Sequence, residues 1–472
     1  MATDRNFTRR QFLKASAAGL SFMYLPGMGR VNAAPFALLN PGGHYGRLCY
    51  NENPLGPSPW ALDAMQQAAP EANRYPDWYS SALESQIANH HGLSSNTVCA
   101  GTGATEVLRL IADAFLAAGD EMVTATPTYF QMTYEATANG ASVVHVPVDE
   151  NYVIDLNAIT QAITPKTKLI SLVNPNNPLG TCFGKAKMQR FVNSLPNGIV
   201  IVVDEAYHHY IHTSDYESCI RFVSEGKPMI VVRTFSKAYG LAGARIGYSV
   251  APSQYTSQIA SSQNFGMVSN ISQAAAQAAL TDHRHVNRTV RLNDQAKQIL
   301  ETGCDELSLE YIPSETNFMM IKVGNAASVV TQLASRGYQV RTGWGMPEYI
   351  RVSTGTIEEM HGFIDALKDI VNAGIKTGGP PTFGLNAIYP NPFRSHCTVT
   401  ITTFGSEKVF LAIYDASGRK VNTLVNKTLV PGTHDFIWDG RDVHGSKVAA
   451  GVYIMNLLQA EFAESRKITL VR

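Results

Sequence analysis

The sequence predicts an α/β core with a mostly parallel central sheet, followed by a small β-sandwich. From about residue 46 to residue 373, apolar runs of strand length alternate with helical segments, a pattern typical of parallel sheets covered by helices. After residues 377–382 (TGGPPT), the pattern changes to short alternating strands separated by turn pairs. The chain has 472 residues, of which 45% are hydrophobic and 16% charged, so it is long enough for two or three globular domains.

Charge and cysteine usage exclude several classes of function. The 38 basic and 38 acidic residues give a formal net charge of zero, and no basic block indicates a nucleic-acid partner. Six cysteines are scattered without a C-x-x-C pair, so the spacing typical of a metal site is absent. We expect these thiols to be buried or inert.

The N-terminus has the pattern of an export signal. Residues 8–14 (TRRQFLK) precede a short apolar stretch at 15–25 and small residues at 31–34. The paired arginines resemble a twin-arginine signal, which implies export of the folded protein by the twin-arginine machinery. We expect residues 1–33 to be removed after Ala33; an ordinary amphipathic helix is the alternative. The periplasm is the default destination, with the cell surface or secretion as alternatives.

The core is expected to contain six strands of the central sheet and a helix that follows Gly103. Ligands of such sheets bind beyond the carboxyl ends of the strands, where the polar motifs of this chain fall. The helix is expected at residues 106–118, and the strands at 121–125, 142–147, 168–173, 199–203, 229–232 and 246–250.

Ser236-Lys237 is the first candidate site. It lies in residues 233–247 (RTFSKAYGLAGARIG), directly after a buried strand. A lysine among small residues can lie in a partly dry pocket, where its pKa falls and its amine becomes a nucleophile that forms Schiff bases. Thr234, Ser236 and Arg245 could hold a phosphate nearby. A surface lysine in a polar loop is the alternative interpretation.

Three further motifs carry polar groups at strand ends or helix starts. Glycines 101 and 103 precede a helix, where the amides of Ala104 and Thr105 can bind an anion. Residues 174–180 (NPNNPLG) place an amide in a fixed turn, and Asp204 ends an apolar run. A strand-end carboxylate can also bind a metal or a nucleotide, but no G-x-x-x-x-G-K-[ST] loop accompanies it.

These motifs resemble those of the fold-type I pyridoxal-phosphate aminotransferases, closest to the histidinol-phosphate aminotransferase family. The resemblance rests on residues 174–180, 233–247 and 349–356 (YIRVSTGT). It implies the type I pyridoxal-phosphate-transferase fold at residues 34–376, with a large domain at about 75–275 and a small domain at about 276–376 plus the N-terminal segment. It also implies a homodimer and pyridoxal 5'-phosphate as cofactor.

The resemblance implies a role for each motif residue. Lys237 forms the Schiff base with the cofactor and then acts as general base, while Asp204 keeps the ring nitrogen protonated. Tyr207 and Asn177 donate to the phenolic oxygen, and Tyr129 stacks on the pyridine ring. The phosphate is held by Ala104, Thr105, Thr234, Ser236 and Arg245. Tyr75 of the partner subunit reaches the same phosphate across the dimer.

Substrate contacts are implied for three residues. Arg351 matches the arginine that binds the α-carboxylate, because a planar guanidinium makes a two-point contact with a carboxylate. Arg341 matches an arginine that recognises the side chain, and Asn53 lies in the proline-rich segment over the substrate side of the cofactor. The chain departs from the family in the short loop expected at 342–348 and at Thr105, where an aspartate is frequent.

The pair His208-His209 raises the possibility of a metal site. Neighbouring side chains point to opposite faces of a strand and diverge on a helix, so we expect the two rings to point apart. We therefore predict no metal.

The C-terminal module, residues 383–472, is expected to be a β-sandwich. Several of its segments, among them 389–393 (YPNPF) and 450–453 (AGVY), resemble an FlgD-like immunoglobulin domain. Similar domains occur as sorting tails of type IX secretion, and a passive β-domain is the alternative.

The sequence as a whole predicts an exported aminotransferase. It would move an amino group between an amino acid and a 2-oxo acid by a ping-pong mechanism through Lys237. The alternatives are another pyridoxal-phosphate reaction on the same fold (decarboxylation, elimination or cyclisation), cytoplasmic histidinol-phosphate aminotransferase itself, and a non-catalytic surface protein.

Overall fold

The computed structural model describes residues 46–263, 268–373, 384–403, 407–415, 418–429, 432–459 and 462–471. The predicted export signal (1–33) and linker (377–382) lie outside the described residues. Residues 46–373 contain thirteen strands and twelve α-helices in the described part. The strands are β1 (Gly46–Arg47), β2 (Val98–Gly101), β3 (Glu121–Thr126), β4 (Ser142–Pro147), β5 (Thr167–Val173), β6 (Val200–Asp204), β7 (Met229–Thr234), β8 (Gly247–Val250), β9 (Tyr311–Ile312), β10 (Phe318–Lys322), β11 (Tyr338–Gln339), β12 (Arg341–Gly343) and β13 (Met346–Ser353).

The helices alternate with these strands as the sequence predicts. Those of the first half are α1 (Pro59–Ala68), α2 (Ser81–His90), α3 (Ala104–Phe115), α4 (Gln131–Ala138), α5 (Leu156–Gln161), α6 (Lys185–Ser194) and α7 (Ile220–Ser224). Those of the second half are α8 (Ser253–Ser261), α9 (Asn270–Thr281), α10 (His283–Glu306), α11 (Ala326–Ser335) and α12 (Ile357–Asn372).

The central sheet has seven strands in the order β2-β8-β7-β6-β5-β3-β4. All neighbours from β7 to β4 are parallel, whereas β8 runs antiparallel to both β7 and β2. The predicted mostly parallel sheet is confirmed. All residues of β6 and β7 are buried, because helices cover both faces of the sheet, and this explains their continuous apolar sequences.

A second, smaller sheet of order β12-β13-β10-β9 packs with α10, α11 and α12 around a separate apolar core. Strand β1 pairs with β11, which joins the start of the described chain to this subdomain. The expected loop at 342–348 is wrong. Those residues form a β12–β13 hairpin whose turn residues, Trp344 and Gly345, both have positive φ (57° and 72°). Two residues in the left-handed region suit a tight hairpin turn. Because an aromatic residue is unusual in such a turn, the sequence pattern did not predict it.

The C-terminal module is a two-sheet antiparallel sandwich, as predicted. Its sheets have the orders β14-β15-β18 and β17-β16-β19-β20, and alternate apolar side chains form a core around Trp438, which is 1% exposed. The strands are β14 (Gly384–Tyr389), β15 (Cys397–Thr403), β16 (Glu407–Asp415), β17 (Lys420–Leu429), β18 (Gly432–Trp438), β19 (Gly451–Gln459) and β20 (Phe462–Leu470).

The six cysteines are all free thiols, and five of them are buried. Cys182 is half-buried, and burial together with Glu315 and Asp215 raises the pKa of its thiol to about 12. The expectation of buried or inert thiols is therefore confirmed. Within the described ranges, no helix has the length and apolar character that would let it cross a bilayer.

Candidate active site

The predicted cofactor residues meet at one edge of the central sheet. The parallel strands β3, β5, β6 and β7 end there, and the N-terminus of α3 points to the same edge. A cavity of about 210 Å³ lies beyond these ends. Ten residues that the sequence analysis assigned to the cofactor line it: Ala104, Thr105, Tyr129, Asn177, Asp204, Tyr207, Thr234, Ser236, Lys237 and Arg245.

One end of the cavity is built to hold an anion. Helix α3 begins after Gly103 (φ +83°), and no side chain caps its first turn, so its backbone N–H groups face the cavity end. A Cβ at Gly247 would lie 2.8 Å from Cα of Ala104, so only glycine allows β8 to approach this turn. The Arg245 guanidinium lies against Gly103, where a Cβ would be 3.0 Å from its Cζ. These donors fit a phosphate.

A buried carboxylate also lines the cavity. Asp204 ends β6 with 5% of its surface exposed, and its Oδ1 accepts a hydrogen bond from the Ala206 N–H at 3.0 Å. Burial raises the pKa of the Asp204 carboxyl from 3.8 to about 6, while the Ala206 N–H and the Lys237 charge oppose the rise. A cationic ring nitrogen beside it would favour the ionised form, so this carboxylate fits the ring nitrogen of pyridoxal phosphate.

Lys237 lines the same cavity, in the turn after β7. Its Nζ donates to the Tyr50 carbonyl at 3.0 Å and lies 5.7 Å from the centre of the Tyr207 ring. Ser236 N donates to Thr234 Oγ1 at 3.0 Å, which fixes the turn that carries the lysine. The amine is therefore half-buried and held at the cavity wall, as the Schiff-base hypothesis requires.

The predicted carboxylate-binding arginine contacts the cavity through Asn177. Arg351 Nη1 donates to Asn177 Oδ1 at 2.6 Å, and its Nη2 donates to the Cys49 carbonyl at 2.9 Å. Since a guanidinium only donates, Asn177 presents Oδ1 to Arg351 and keeps its Nδ2 hydrogens for another acceptor, as the predicted role requires. Arg351 itself is fully buried, with its Cζ 4.9 Å from the Trp344 ring centre.

Four predicted residues do not line the cavity. Arg351 is one of them. Arg341 is another: it is 2% exposed, and its Cζ lies 4.4 Å from the Tyr50 ring centre. Asn53 uses its Nδ2 for the Ala238 carbonyl and the Thr289 hydroxyl, at 3.0 Å and 2.9 Å. Tyr75 is 89% exposed at the surface, where a contact across a dimer stays a prediction.

Sequence reasoning placed residues 51–59 over the substrate side of the cofactor but missed residues 47–50, which also contact the site. Arg47, Tyr50 and Glu52 line the cavity, and the carbonyls of Cys49 and Tyr50 accept from Arg351 and Lys237. Asn51 has φ +55°, a conformation that asparagine tolerates better than most residues. Asn51 follows Tyr50 directly and begins residues 51–53 (NEN), and this polar motif was the sequence signal for its contact with the site.

The expectation that the His208 and His209 rings diverge is wrong. Both lie in a 3-10 turn, and their ring centres are 3.7 Å apart. Burial and the Arg233 charge lower the pKa of both rings, and Arg233 Nη1 lies 2.7 Å from His208 Nε2, which must accept. The described residues contain no group of three or more potential metal ligands.

A buried ion pair supports the loop that carries Asp204. Arg233 Nη2 lies 2.8 Å from Glu205 Oε2, and both side chains are almost fully buried. Glu205 also accepts from Cys219 N at 2.6 Å and from the Ser218 hydroxyl at 2.8 Å. The pair joins the ends of β6 and β7, from which Asp204 and Lys237 extend.

Comparison with known proteins agrees with this geometry. The family model "Aminotransferase class I and II" matches residues 44–367, and the model "FlgD Ig-like domain" matches residues 396–459. The chain is 38% identical to a histidinol-phosphate aminotransferase of Akkermansia muciniphila, over 69% of this chain and 90% of that protein. It is 36% identical to one of Moorella thermoacetica, over 69% and 85%.

A solved structure shares both fold and sequence. The crystal structure of histidinol-phosphate aminotransferase from Sinorhizobium meliloti, in complex with pyridoxal-5'-phosphate, has a TM-score of 0.66 and 28% identity. The alignment covers 73% of this chain and 99% of that one. The catalytic part of the chain thus has the type I pyridoxal-phosphate-transferase fold, and the chain belongs to the class I and II aminotransferase family.

Proposed function

We propose that this protein is an exported, pyridoxal-phosphate-dependent aminotransferase that moves an amino group between an amino acid and a 2-oxo acid by a ping-pong mechanism. The observation that carries the proposal is the arrangement in one cavity of Lys237, a buried Asp204 and an anion-binding end at α3. Family membership and the fit of these residues to the cofactor support it.

The proposed chemistry divides between the cofactor and the chain. When bound, pyridoxal phosphate supplies the electron sink that makes the substrate Cα–H acidic. Asp204 would keep the ring nitrogen protonated by its negative charge. Lys237 Nζ would take the Cα proton of the substrate as general base and return it, as general acid, to the carbon that becomes the new C–H. The Ala104 and Thr105 amides, with Thr234, Ser236 and Arg245, hold the phosphate, and Tyr75 contributes across the dimer.

Substrate orientation is assigned to the arginines of the small subdomain. Arg351 binds the α-carboxylate, and its hydrogen bond to Asn177 links carboxylate binding to the donor at the phenolic oxygen. Because Trp344 lies over Arg351, we expect the ring to shift when a carboxylate binds. Arg341 and Asn53 are proposed to contact the rest of the substrate. Arg341 would do so from its place beside the Tyr50 ring.

Transamination is tested with the purified holoprotein and a panel of amino donors. A donor should shift the visible band of the cofactor and yield its 2-oxo acid, and the Lys237→Ala variant should yield no 2-oxo acid. Release of CO₂ or of an elimination product instead would identify another pyridoxal-phosphate reaction. A protein that stays colourless with added cofactor would favour a non-catalytic role.

Export is a second part of the proposal, supported by residues 8–14 and by the FlgD Ig-like module. The destination is proposed to be the periplasm, with the module offered as a type IX-like sorting tail. Cell fractionation of the full chain and of a chain lacking 383–472 tests both points. An Arg9→Lys, Arg10→Lys variant retained in the cytoplasm supports the twin-arginine route, and an unchanged distribution of that variant contradicts it.

A further inference from the structure

Asn51 is a buried residue that joins the two halves of the site. It is fully buried, and its φ of +55° places it in the left-handed region. Its Nδ2 donates to the Tyr207 hydroxyl at 2.9 Å, and its carbonyl accepts from Asn317 Nδ2 at 3.0 Å. It thus connects Tyr207 of the large domain to the small subdomain.

The orientation of the Asn51 amide follows from its contacts with Ser353. The Ser353 hydroxyl accepts from the Asn51 backbone N–H at 2.8 Å and donates to Asn51 Oδ1 at 2.9 Å. Because Oδ1 is used as an acceptor by Ser353, the donor group Nδ2 must face Tyr207.

The consequence for Tyr207 is a fixed hydrogen-bond direction. An amide nitrogen only donates, so the Tyr207 oxygen is the acceptor in this pair and its hydrogen is directed to a different acceptor. Donation into the phenol oxygen also polarises the O–H bond and strengthens it as a donor. Tyr207 lines the cavity next to Lys237, where the phenolic oxygen of the cofactor is expected.

We propose that Asn51 is a positioning residue that makes Tyr207 donate its hydroxyl hydrogen to the anionic phenolic oxygen of the bound cofactor. The inference rests on the proposed function and extends it to a residue outside the cavity lining. A donor at that oxygen stabilises its negative charge and weakens its hold on the proton of Lys237 Nζ. Asn51 therefore lowers the pH at which this proton leaves.

The other charged groups near Tyr207 are common to all variants in the test. Lys237 faces its ring from the end of β7, Asp204 lies on the same segment, and Arg351 reaches it through Phe318, which packs 5.1 Å from the Tyr207 ring centre. A difference between variants in the titration midpoint of the bound cofactor is therefore caused by the change at Asn51 or Tyr207.

The test is a pH titration of the visible band of the bound cofactor in a double-mutant cycle of Asn51→Asp and Tyr207→Phe. A carboxylate at 51 accepts the Tyr207 hydrogen and keeps the Ser353 contact. Each single variant should raise the midpoint by about one pH unit. Asn51→Asp should add less than about 0.3 units in the Tyr207→Phe background, because the two act through one hydrogen bond.

The controls separate positioning from stability and from charge. Asn293→Asp places a carboxylate at another buried amide, bonded to the Thr316 carbonyl and Thr354, and should lower Tm without moving the midpoint. Full additivity in the cycle, or a lower Tm with an unmoved midpoint, overturns the proposal. If Asn51→Asp does not fold, Asn51→Gly keeps the left-handed backbone, and an unmoved midpoint there overturns it equally.

The outcomes also distinguish this inference from the proposed function. A wild-type protein that forms no titrating visible band with added pyridoxal phosphate contradicts the proposed function itself. A wild-type band that titrates and moves in Tyr207→Phe, but not in the Asn51 variants, contradicts only the role of Asn51.

Discussion

Replacing Asp204 with asparagine is expected to stabilise the cofactor-free protein at neutral pH while it removes activity. Burial raises the pKa of this carboxyl from 3.8 to about 6. Because the folded-state pKa lies above the unfolded one, the stability from the bound proton is full below pH 3.8 and is lost as the pH rises through about 6. A gap of about two pH units corresponds to about 3 kcal/mol above pH 7.

The assay is denaturant unfolding of apoprotein at pH 5 and pH 8. About half of the effect falls in this window, so the stability of Asp204→Asn relative to wild type should increase by about 1.4 kcal/mol from pH 5 to pH 8. The exposed Asp63 offers a matched control, whose change to asparagine should alter stability by less than about 0.5 kcal/mol. A relative stability that stays constant or falls from pH 5 to pH 8 would mean that the Asp204 carboxyl does not take up a proton on folding in this range.

Three further predictions concern the cradle, the substrate arginine and the buried ion pair. Gly247→Ala should lower the affinity for pyridoxal phosphate at least about tenfold, because the added Cβ displaces the start of α3. Gly243→Ala, with no atom within 4 Å of the added carbon, should bind as wild type in the same absorbance titration. Arg351→Lys should raise the KM for the amino donor about tenfold or more and leave cofactor affinity unchanged, since lysine cannot make the two-point contact; an unchanged KM in steady-state kinetics argues against its role. Glu205→Gln should lower the free energy of unfolding by about 3–5 kcal/mol in denaturant unfolding, because it leaves Arg233 buried without its anion. A decrease below about 1 kcal/mol would show that the ion pair is dispensable for stability.

The sheet and the cofactor residues were predictable because their signals are local. An apolar run that ends in a polar motif predicts both a strand and its carboxyl end, so the sequence alone predicts that Asp204, Asn177 and Lys237 lie at the same sheet edge. The observed bounds of β4 (Ser142–Pro147) agree with the expectation residue for residue, and those of β5 to β8 agree within two residues.

Long-range contacts and backbone conformation were not predictable. In residues 51–53 (NEN), the sequence predicts a substrate contact for Asn53. Asn51 contacts Tyr207 because of its left-handed backbone and its bond to Ser353, which lies 302 residues away. The hairpin turn at Trp344 has the same origin, since φ at an aromatic residue leaves no compositional sign. The Arg351–Asn177 bond likewise joins residues 174 positions apart.

Lys237 is expected to be the lysine that carries the cofactor, and chemical reduction of the holoprotein identifies that lysine. The purified holoprotein is reduced with borohydride, digested, and analysed by mass spectrometry for the lysine that carries the reduced cofactor. Our account predicts bleaching of the visible band and a single modified peptide containing Lys237. Modification of a different lysine, or none in a protein saturated with pyridoxal phosphate, would contradict it.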